Sequence, residues 1–485
     1  MVTRLSSPGR WLAVRSAQTP RAPALSGIGS LDYAQLAKTA AGLSTQLAEQ
    51  GVVQGQVVAV QSGQAAVLAS MLYAALYRGF TLLPLDPGLS PDRREKLLAA
   101  CGCNLLVSHQ APSGTALKWL AVDVLFPLQA KDGFKAVQVA SPVPATPLQG
   151  EAVQLIIATS GTTGDPKGVM LSAANLAASV AASEQRLGLT AGDSWLACLP
   201  LSHIGGLSIL LRCLAAGARV LLPGGFDAER VWRQIADGSV THLSLVPAML
   251  DRLLAQSAGQ PPPATLRVVL IGGGPLSGAL AERAHAAGWS LCVSYGMSET
   301  ASQFATDCSP RAGLESGQVG RPLDGYEVAL GESGRIRVRG PAVMRGYANT
   351  QGEAGIGLER GWFETGDLGR IDEQGCLTVI GRADDLLVSG GKTIHPAEVE
   401  ERLLRCPGVI GVGVTGRQDP VWGDTLVALF VGDIEAEALA EWSRLHLPGA
   451  LRPRQFLAVG ELPLNAMGKL SRPALRDLLS TLGNS

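Results

Sequence analysis

The chain has 485 residues, too many for a single hydrophobic core, which predicts two or three domains. Its composition, 46% hydrophobic and 17% charged, is that of a globular enzyme and excludes a disordered chain. A formal net charge of -1 leaves no electrostatic case for nucleic acid or an anionic membrane as partner.

Taken in chain order, residues 1–15 carry basic side chains but no continuous apolar stretch, so no secretory signal is read there. The longest apolar run, residues 65–77, is followed at once by Arg78 and is too short for a bilayer. It predicts a buried helix in a soluble protein with no membrane insertion. Short apolar runs at 57–60, 81–84, 104–107, 194–197, 219–222, 242–245, 267–271 and 291–294 are separated mostly by helix-length segments rich in Ala, Leu, Glu and Gln. That alternation predicts parallel sheets covered by helices. Residues 127–148 read as a proline-punctuated surface connection. From Gly320 onward the texture changes, and residues 326–330 and 335–339 alternate with period two, as antiparallel strands do. The cysteines at 101, 103, 198, 213, 292, 308, 376 and 406 form no C-x-x-C pair and no zinc spacing. Reduced, mostly buried thiols in the cytoplasm are the expectation.

The richest segment is residues 158–170, which packs three glycines, four hydroxyls, a proline and a lysine into one loop. An apolar strand precedes it, a second short strand follows, and Ser172 reads as the cap of an alanine-rich helix. Glycines let backbone N–H groups turn inward around an anion, while Ser160, Thr162 and Thr163 add hydroxyls and Lys167 a point charge. A Walker loop is excluded by spacing, because Pro166 or Val169 stands where its second glycine belongs. A flexible linker is the other alternative, but it has no need of Pro-Lys-Gly between two apolar strands. The segment reads as a polyphosphate-binding loop.

Further motifs follow. Residues 270–275 end a strand in three glycines and a proline, so backbone can lie against a flat ring. Residues 294–300 end another and offer Tyr295, Glu299 and Thr300. Asp367 follows Gly366, suited to two ribose hydroxyls, and Arg382 stands beside Asp384 and Asp385. Lys469 sits in a loop near the end; on local sequence alone an ordinary solvated lysine is the favoured reading. This order of motifs resembles the adenylate-forming superfamily of acyl-CoA synthetases, nonribosomal adenylation domains and luciferases, over nearly the whole chain.

The resemblance implies an α/β fold: a large N-terminal domain of helix-covered β-sheets plus a distorted β-barrel, with a small mobile α+β C-terminal domain. The division expected is 1–383 and 384–485, with Asp384 as hinge. It implies an enzyme that activates a carboxylate with ATP and Mg²⁺ and passes it to coenzyme A. Thr159, Ser160, Gly161, Thr162, Thr163, Gly164 and Lys167 would hold the ATP phosphates. Gly273, Gly274 and Pro275 with Tyr295 and Gly296 would bracket adenine, and Asp367 and Arg382 would bind ribose. Thr300 would contact the α-phosphate, Glu299 would hold magnesium, and Lys469 would meet the reacting groups.

The acyl pocket is read from two segments. Residues 199–208 resemble the pocket-wall segment containing His203. The run from Tyr295 to Gln303 resembles the o-succinylbenzoate–CoA ligase family of menaquinone and phylloquinone synthesis, and it implies that Ser302 and Gln303 line the pocket. That substrate keeps a second, unreacted carboxylate, which needs a cation to be buried. Arg212 is the candidate, with a helix arginine reaching solvent as the alternative. Other aryl- or acyl-CoA ligases, and a silent nucleotide-binding homologue, are the competing functions. The chain departs from the superfamily at Lys392, Thr393 and His395, in the face used for the thioester step. Oligomeric state is left open, a homo-oligomer included.

Overall fold

The computed structural model describes residues 7–27, 29–112, 117–126, 144–160, 166–309, 316–349, 353–419, 423–464 and 469–482. The elements that carry the site are, in chain order, the strands Thr81–Leu85 (β1), Val153–Ser160 (β2), Pro166–Ser172 (β3), Val268–Ile271 (β4), Leu291–Met297 (β5), Ser302–Asp307 (β6), Phe363–Ile371 (β7) and Leu377–Arg382 (β8). The helices are Ala173–Leu187 (α1) and Ile204–Ala216 (α2).

Two largely parallel sheets form the body. In the eight-stranded one, Val268–Ile271 is flanked by His242–Leu245 and by β5, and only its two edges, including the β5–β6 hairpin, are antiparallel. In the seven-stranded one, β1 sits centrally, and the antiparallel β2–β3 hairpin extends the edge. All eight apolar runs predicted as strands lie in these sheets, because a strand covered on both faces needs continuous apolar sequence. The run at 65–77 is the helix Ala65–Arg78, buried almost throughout and ended by Gly79 at a φ of 78°. Both sheets share one core, reaching from Trp11 and Leu72 to Trp195, Leu210 and Phe304.

Helix α1 starts where the sequence predicts. The Ser172 hydroxyl accepts from the Asn175 N–H at 3.1 Å, and Asn175 Oδ1 accepts from the Ser172 N–H at 2.9 Å. This reciprocal pair satisfies two otherwise orphaned donors and fixes the hairpin-to-helix corner.

The period-two segments form a five-stranded antiparallel sheet, in the order Gln318–Gly320, β8, β7, Arg335–Arg339, Glu327–Leu330. The barrel expectation is corrected here: among the described residues the two edge strands do not pair, so the sheet stays open. The edge strands are short, three and four residues, and span too little length to close it.

From Leu387 onward a fourth sheet, also of five strands, packs against Pro396–Leu403 and Ala436–His446 around Val399, Val414, Phe430 and Leu439. Its other face packs Val427 and Leu429 against Leu475 and Leu479. Pro396 is the first residue of its helix, as its preset φ favours. The Ser389–Lys392 turn has Gly390 and Gly391 at φ values of 57° and 74°, which two-residue hairpins demand.

The cysteine expectation is also corrected. Cys292 and Cys308 are joined by a disulfide, because the β5–β6 pairing of Val293 with Asp307 sets them opposite each other. The other six are free thiols. Among the described residues no helix is long and apolar enough to cross a membrane.

Candidate active site

The β2–β3 hairpin brings the ends of the glycine-rich segment together, with Thr159 opposite Lys167 and Ser160 opposite Pro166. Gly161, Thr162, Thr163 and Gly164 lie outside the described residues, as does the Ser160 side chain. The Thr159 hydroxyl lies 3.4 Å from the Lys167 carbonyl. Lys167 projects over Tyr347, its ammonium 5.0 Å from the ring centroid.

Tyr347 also donates to Glu299 Oε1 at 2.9 Å. Glu299 is only 8% exposed. Burial raises its carboxyl above the usual range, opposed by the Tyr347 hydrogen bond and by the positive charges of Arg382 and Lys167. Among the described residues no cluster of three potential metal ligands exists. One carboxylate suits Mg²⁺, which keeps several waters and takes its remaining oxygens from nucleotide phosphates.

The residues read as the nucleoside site gather at the ends of β4, β5 and β7. Tyr295 donates to Asp367 Oδ2 at 2.6 Å and packs edge-on against Phe304, with ring centroids 4.9 Å apart. Arg382 lies 3.7 Å from the other Asp367 oxygen, across the β7–β8 register that pairs these two residues. A β-carbon at Gly366 would fall 2.6 Å from the Arg382 guanidinium, so a side chain there would push the guanidinium aside. Gly296 is required by backbone, since a β-carbon there would stand 2.1 Å from the Ser302 carbonyl. Pro275 is exposed beside Gly273 and Gly274.

Lys469, from the C-terminal unit, closes this face. Its side chain lies along the glycine turn after β4: added β-carbons at Gly273 and Gly274 would stand 3.6 and 3.9 Å from its Cε and Cγ. Local desolvation pulls the ammonium below the usual lysine range, although the residue keeps contact with solvent; Asp367 opposes this and Arg382 adds to it. Asp384 stays on the surface, 3.6 Å from Arg382 and 3.7 Å from Arg335.

Thr300 is placed differently. Its hydroxyl is wholly buried, accepting from the Met297 N–H at 3.1 Å and lying 2.7 Å from the Ser302 carbonyl. It braces a turn in which Ala301 and Ser302 adopt φ values of 52° and 117°, unusual for non-glycine residues.

Two further groups are those read from the sequence as acyl-pocket residues. His203 precedes α2, and its Nε2 is 3.8 Å from Asp86 at the end of β1. Burial and Lys469 push its pKa down against the pull of Asp86, which keeps the imidazole neutral. Arg212, on α2, is 3% exposed. Its Nη2 donates to Ser302 Oγ at 3.0 Å and to Gln303 Oε1 at 2.9 Å, and the guanidinium stands 5.5 Å from the Trp195 ring centroid. Among the described residues no carboxylate pairs with it, and burial pushes its pKa down to about 10. The surface-arginine alternative is excluded.

The C-terminal unit has a pocket of about 220 Å³ lined by Ser389, Gly390, Lys392, Arg452 and Arg454. Sequence reasoning misses both arginines, and it misses Tyr347 and Asp86. Tyr347 is 48 residues from Glu299, and only the pairing of Gly346–Tyr347 with β3 brings it there.

The AMP-binding enzyme family model matches residues 12–348, and the AMP-binding enzyme C-terminal domain matches 398–469. The 2-succinylbenzoate–CoA ligase of Bacillus licheniformis is 36% identical over 486 residues, covering 96% of this chain and 98% of its own. That of Bacillus cereus is 34% identical over 489 residues, covering 97% and 99%. Among solved structures, the Bacillus subtilis o-succinylbenzoate CoA synthetase in complex with its acyl-adenylate intermediate has a TM-score of 0.85 at 32% identity, with 97% of each chain covered. The same enzyme with ATP and magnesium ion has a TM-score of 0.83 at 32% identity, covering 96% of this chain and 99% of that one.

Proposed function

The chain belongs to the family of AMP-binding enzymes, and from that premise we propose that it is the AMP-forming ligase that converts o-succinylbenzoate to o-succinylbenzoyl-CoA through an acyl-adenylate. The observation that carries the chemistry is the position of the Lys469 side chain along Gly273 and Gly274, beside Asp367 and Arg382. A substrate carboxylate oxygen attacks the α-phosphorus of ATP, the bond to the bridging oxygen breaks, and pyrophosphate leaves. The thiol of coenzyme A, losing its proton, then attacks the acyl carbonyl, and AMP leaves.

The first step sets an anion against an anion, so its barrier falls where positive charge waits. Lys469 supplies that charge at the reacting phosphate. Tyr295 and Asp367 hold the nucleoside, with Asp367 accepting from ribose and Arg382 steadying Asp367. Lys167, with residues 159–164, holds the outer phosphates. Glu299 is the protein ligand for Mg²⁺, which when bound neutralises phosphate charge. Thr300 serves the α-phosphate through the turn it braces.

The substrate is read from Arg212. A buried guanidinium without an acid is stable only if hydrogen bonds and a ligand anion compensate it. The unreacted carboxylate of o-succinylbenzoate fits that demand, with Ser302 and Gln303 holding the cation in place and neutral His203 forming the neighbouring wall.

For the second step the C-terminal unit, residues 384–485, turns about Asp384 and withdraws Lys469. The pocket of Lys392, Arg452 and Arg454 then suits the phosphates of coenzyme A. The product feeds quinone synthesis of the menaquinone or phylloquinone type. The supply of ATP and coenzyme A in the cytoplasm supports that compartment for the reaction.

The test is mass spectrometry of products from Mg·ATP, coenzyme A and o-succinylbenzoate, with benzoate, coumarate and fatty acids in parallel. A thioester from o-succinylbenzoate alone is expected. A thioester from another acid alone overturns the substrate, and no adenylate from any acid overturns the enzyme.

A further inference from the structure

Arg212 uses one end of its guanidinium for Ser302 and Gln303, and its Nε is buried with no hydrogen-bond partner among the described residues. Ser183, on α1, is 1% exposed, and its hydroxyl is likewise buried and unpartnered. Both side chains line one cavity between α1 and α2, walled by Val180, Leu187 and Trp195, with Glu184 at its outer rim. The space open to a water centre there is about 10 Å³, which is about what one water needs. Two buried polar groups left bare around a space of that size are the setting in which ordered internal water is found.

We propose that Ser183 and Arg212 hold a single buried water, and that Ser183 is thereby a positioning residue that sets the specificity of the acyl pocket. The Arg212 Nε–H donates to the water, and the water donates to, or accepts from, the Ser183 hydroxyl. The guanidinium is then held at three points: Ser302 and Gln303 in front, Trp195 across its face, and the water behind. Its plane cannot turn away from the pocket without stripping Nε of its partner. The inference deepens the substrate reading and rests on it, since orientation matters only if a second carboxylate meets the guanidinium.

The experiment has a structural and a kinetic arm. A crystal structure of the parent protein at high resolution is expected to show one solvent peak within hydrogen-bond distance of Arg212 Nε and Ser183 Oγ. An empty or differently occupied cavity overturns the proposal, whatever the substrate is. Kinetically, Ser183→Val fills the space with methyls and Ser183→Ala keeps the space but removes the hydroxyl. The KM for o-succinylbenzoate is expected to rise about tenfold in the valine variant and less in the alanine variant, with kcat little changed. The KM for an analogue lacking the unreacted carboxylate stays at the parent value. An equal rise for both substrates, or a loss of thermal stability with no change in the KM ratio, shows a merely structural serine and overturns the proposal. If the parent shows no preference for the second carboxylate, the substrate reading fails instead, while the solvent peak still decides the water.

Discussion

Lys469 lies against Gly273: a β-carbon added to that glycine would stand 3.6 Å from the lysine Cε. The glycine has a φ of 79°, so it provides both the turn and the open surface that the lysine covers. The contact joins the two units in the orientation that the proposed first step calls for. Lys469→Ala is expected to lower adenylate formation roughly 10²–10³-fold, the usual loss of one well-placed charge at a developing anion. Thioester formation from preformed adenylate should survive, because the lysine is withdrawn by then. Since the Lys469 pKa is lowered by local desolvation, the alkaline fall of pyrophosphate exchange begins below the usual lysine range and moves upward in Lys469→Arg. Equal losses in both half-reactions would contradict this division.

Glu299 predicts the acid side of the same profile. Burial raises its pKa, so its proton returns at a pH above the ordinary carboxyl value of about 4.3. Mg²⁺ competes with that proton, and activity falls as pH drops through the raised value. Added Mg²⁺ should shift the limb to lower pH. For folding the sign is opposite: the protonated form favours the folded state, and that stability is lost as pH rises through the raised pKa. A limb insensitive to magnesium between 0.1- and 10-fold of its half-saturating level would separate Glu299 from the metal.

Arg212→Met separates binding from stability. A buried cation without an acid opposes folding of the substrate-free chain, so its removal should leave the thermal midpoint unchanged or higher. The same change strips the pocket of its charge. The KM for o-succinylbenzoate should rise at least roughly 30-fold, corresponding to about 2 kcal/mol for a lost buried charge contact. Activity on a monocarboxylate should persist. A variant that melts far lower yet keeps its KM would make Arg212 a structural residue.

Much of this was legible in the sequence, for reasons particular residues make clear. The body strands announce themselves because burial on both faces demands runs such as Val268–Ile271, and the Ser172 cap is visible because its partner Asn175 is three residues on. What the sequence hides is held by long-range pairing. Tyr347 reaches Glu299 only through the sheet edge it shares with β3. Arg212 is indistinguishable in one dimension from a surface helix arginine, and its burial depends on β6 presenting Ser302 and Gln303, 90 and 91 residues away. The sequence reads Thr300 as an α-phosphate contact and does not reveal its inward hydroxyl, which braces the turn where Ala301 and Ser302 have positive φ values.

The disulfide gives a chemical count. In denaturant without reductant, six cysteines should alkylate, and two more, Cys292 and Cys308, only after reduction. A bond closing a loop with a sequence separation of 16 stabilises by about 3 kcal/mol in the chain-entropy model. Cys308→Ser should therefore lower stability under oxidising conditions and change it little when the parent is reduced. Eight alkylated cysteines without reductant would show that the bond is absent in solution.

The basic pocket of the C-terminal unit is tested by reversing its charge. Lys392, Arg452 and Arg454 line it with no acid among its walls, so phosphate binding there loses charge-assisted hydrogen bonds of about 1.5–3 kcal/mol each when an arginine is replaced. The double change Arg452→Glu with Arg454→Glu should raise the KM for coenzyme A by roughly 10² or more. The pocket shares no lining residue with the face that Lys469 covers, so the effect should be confined to the thioester step, and adenylate should accumulate on the enzyme. The parent KM for coenzyme A should also rise with salt, because screening weakens contacts between mobile phosphates and exposed cations. The mutant should lose most of that salt dependence. A KM for coenzyme A within twofold of the parent, with its salt dependence intact, would place the coenzyme elsewhere on the turned C-terminal unit.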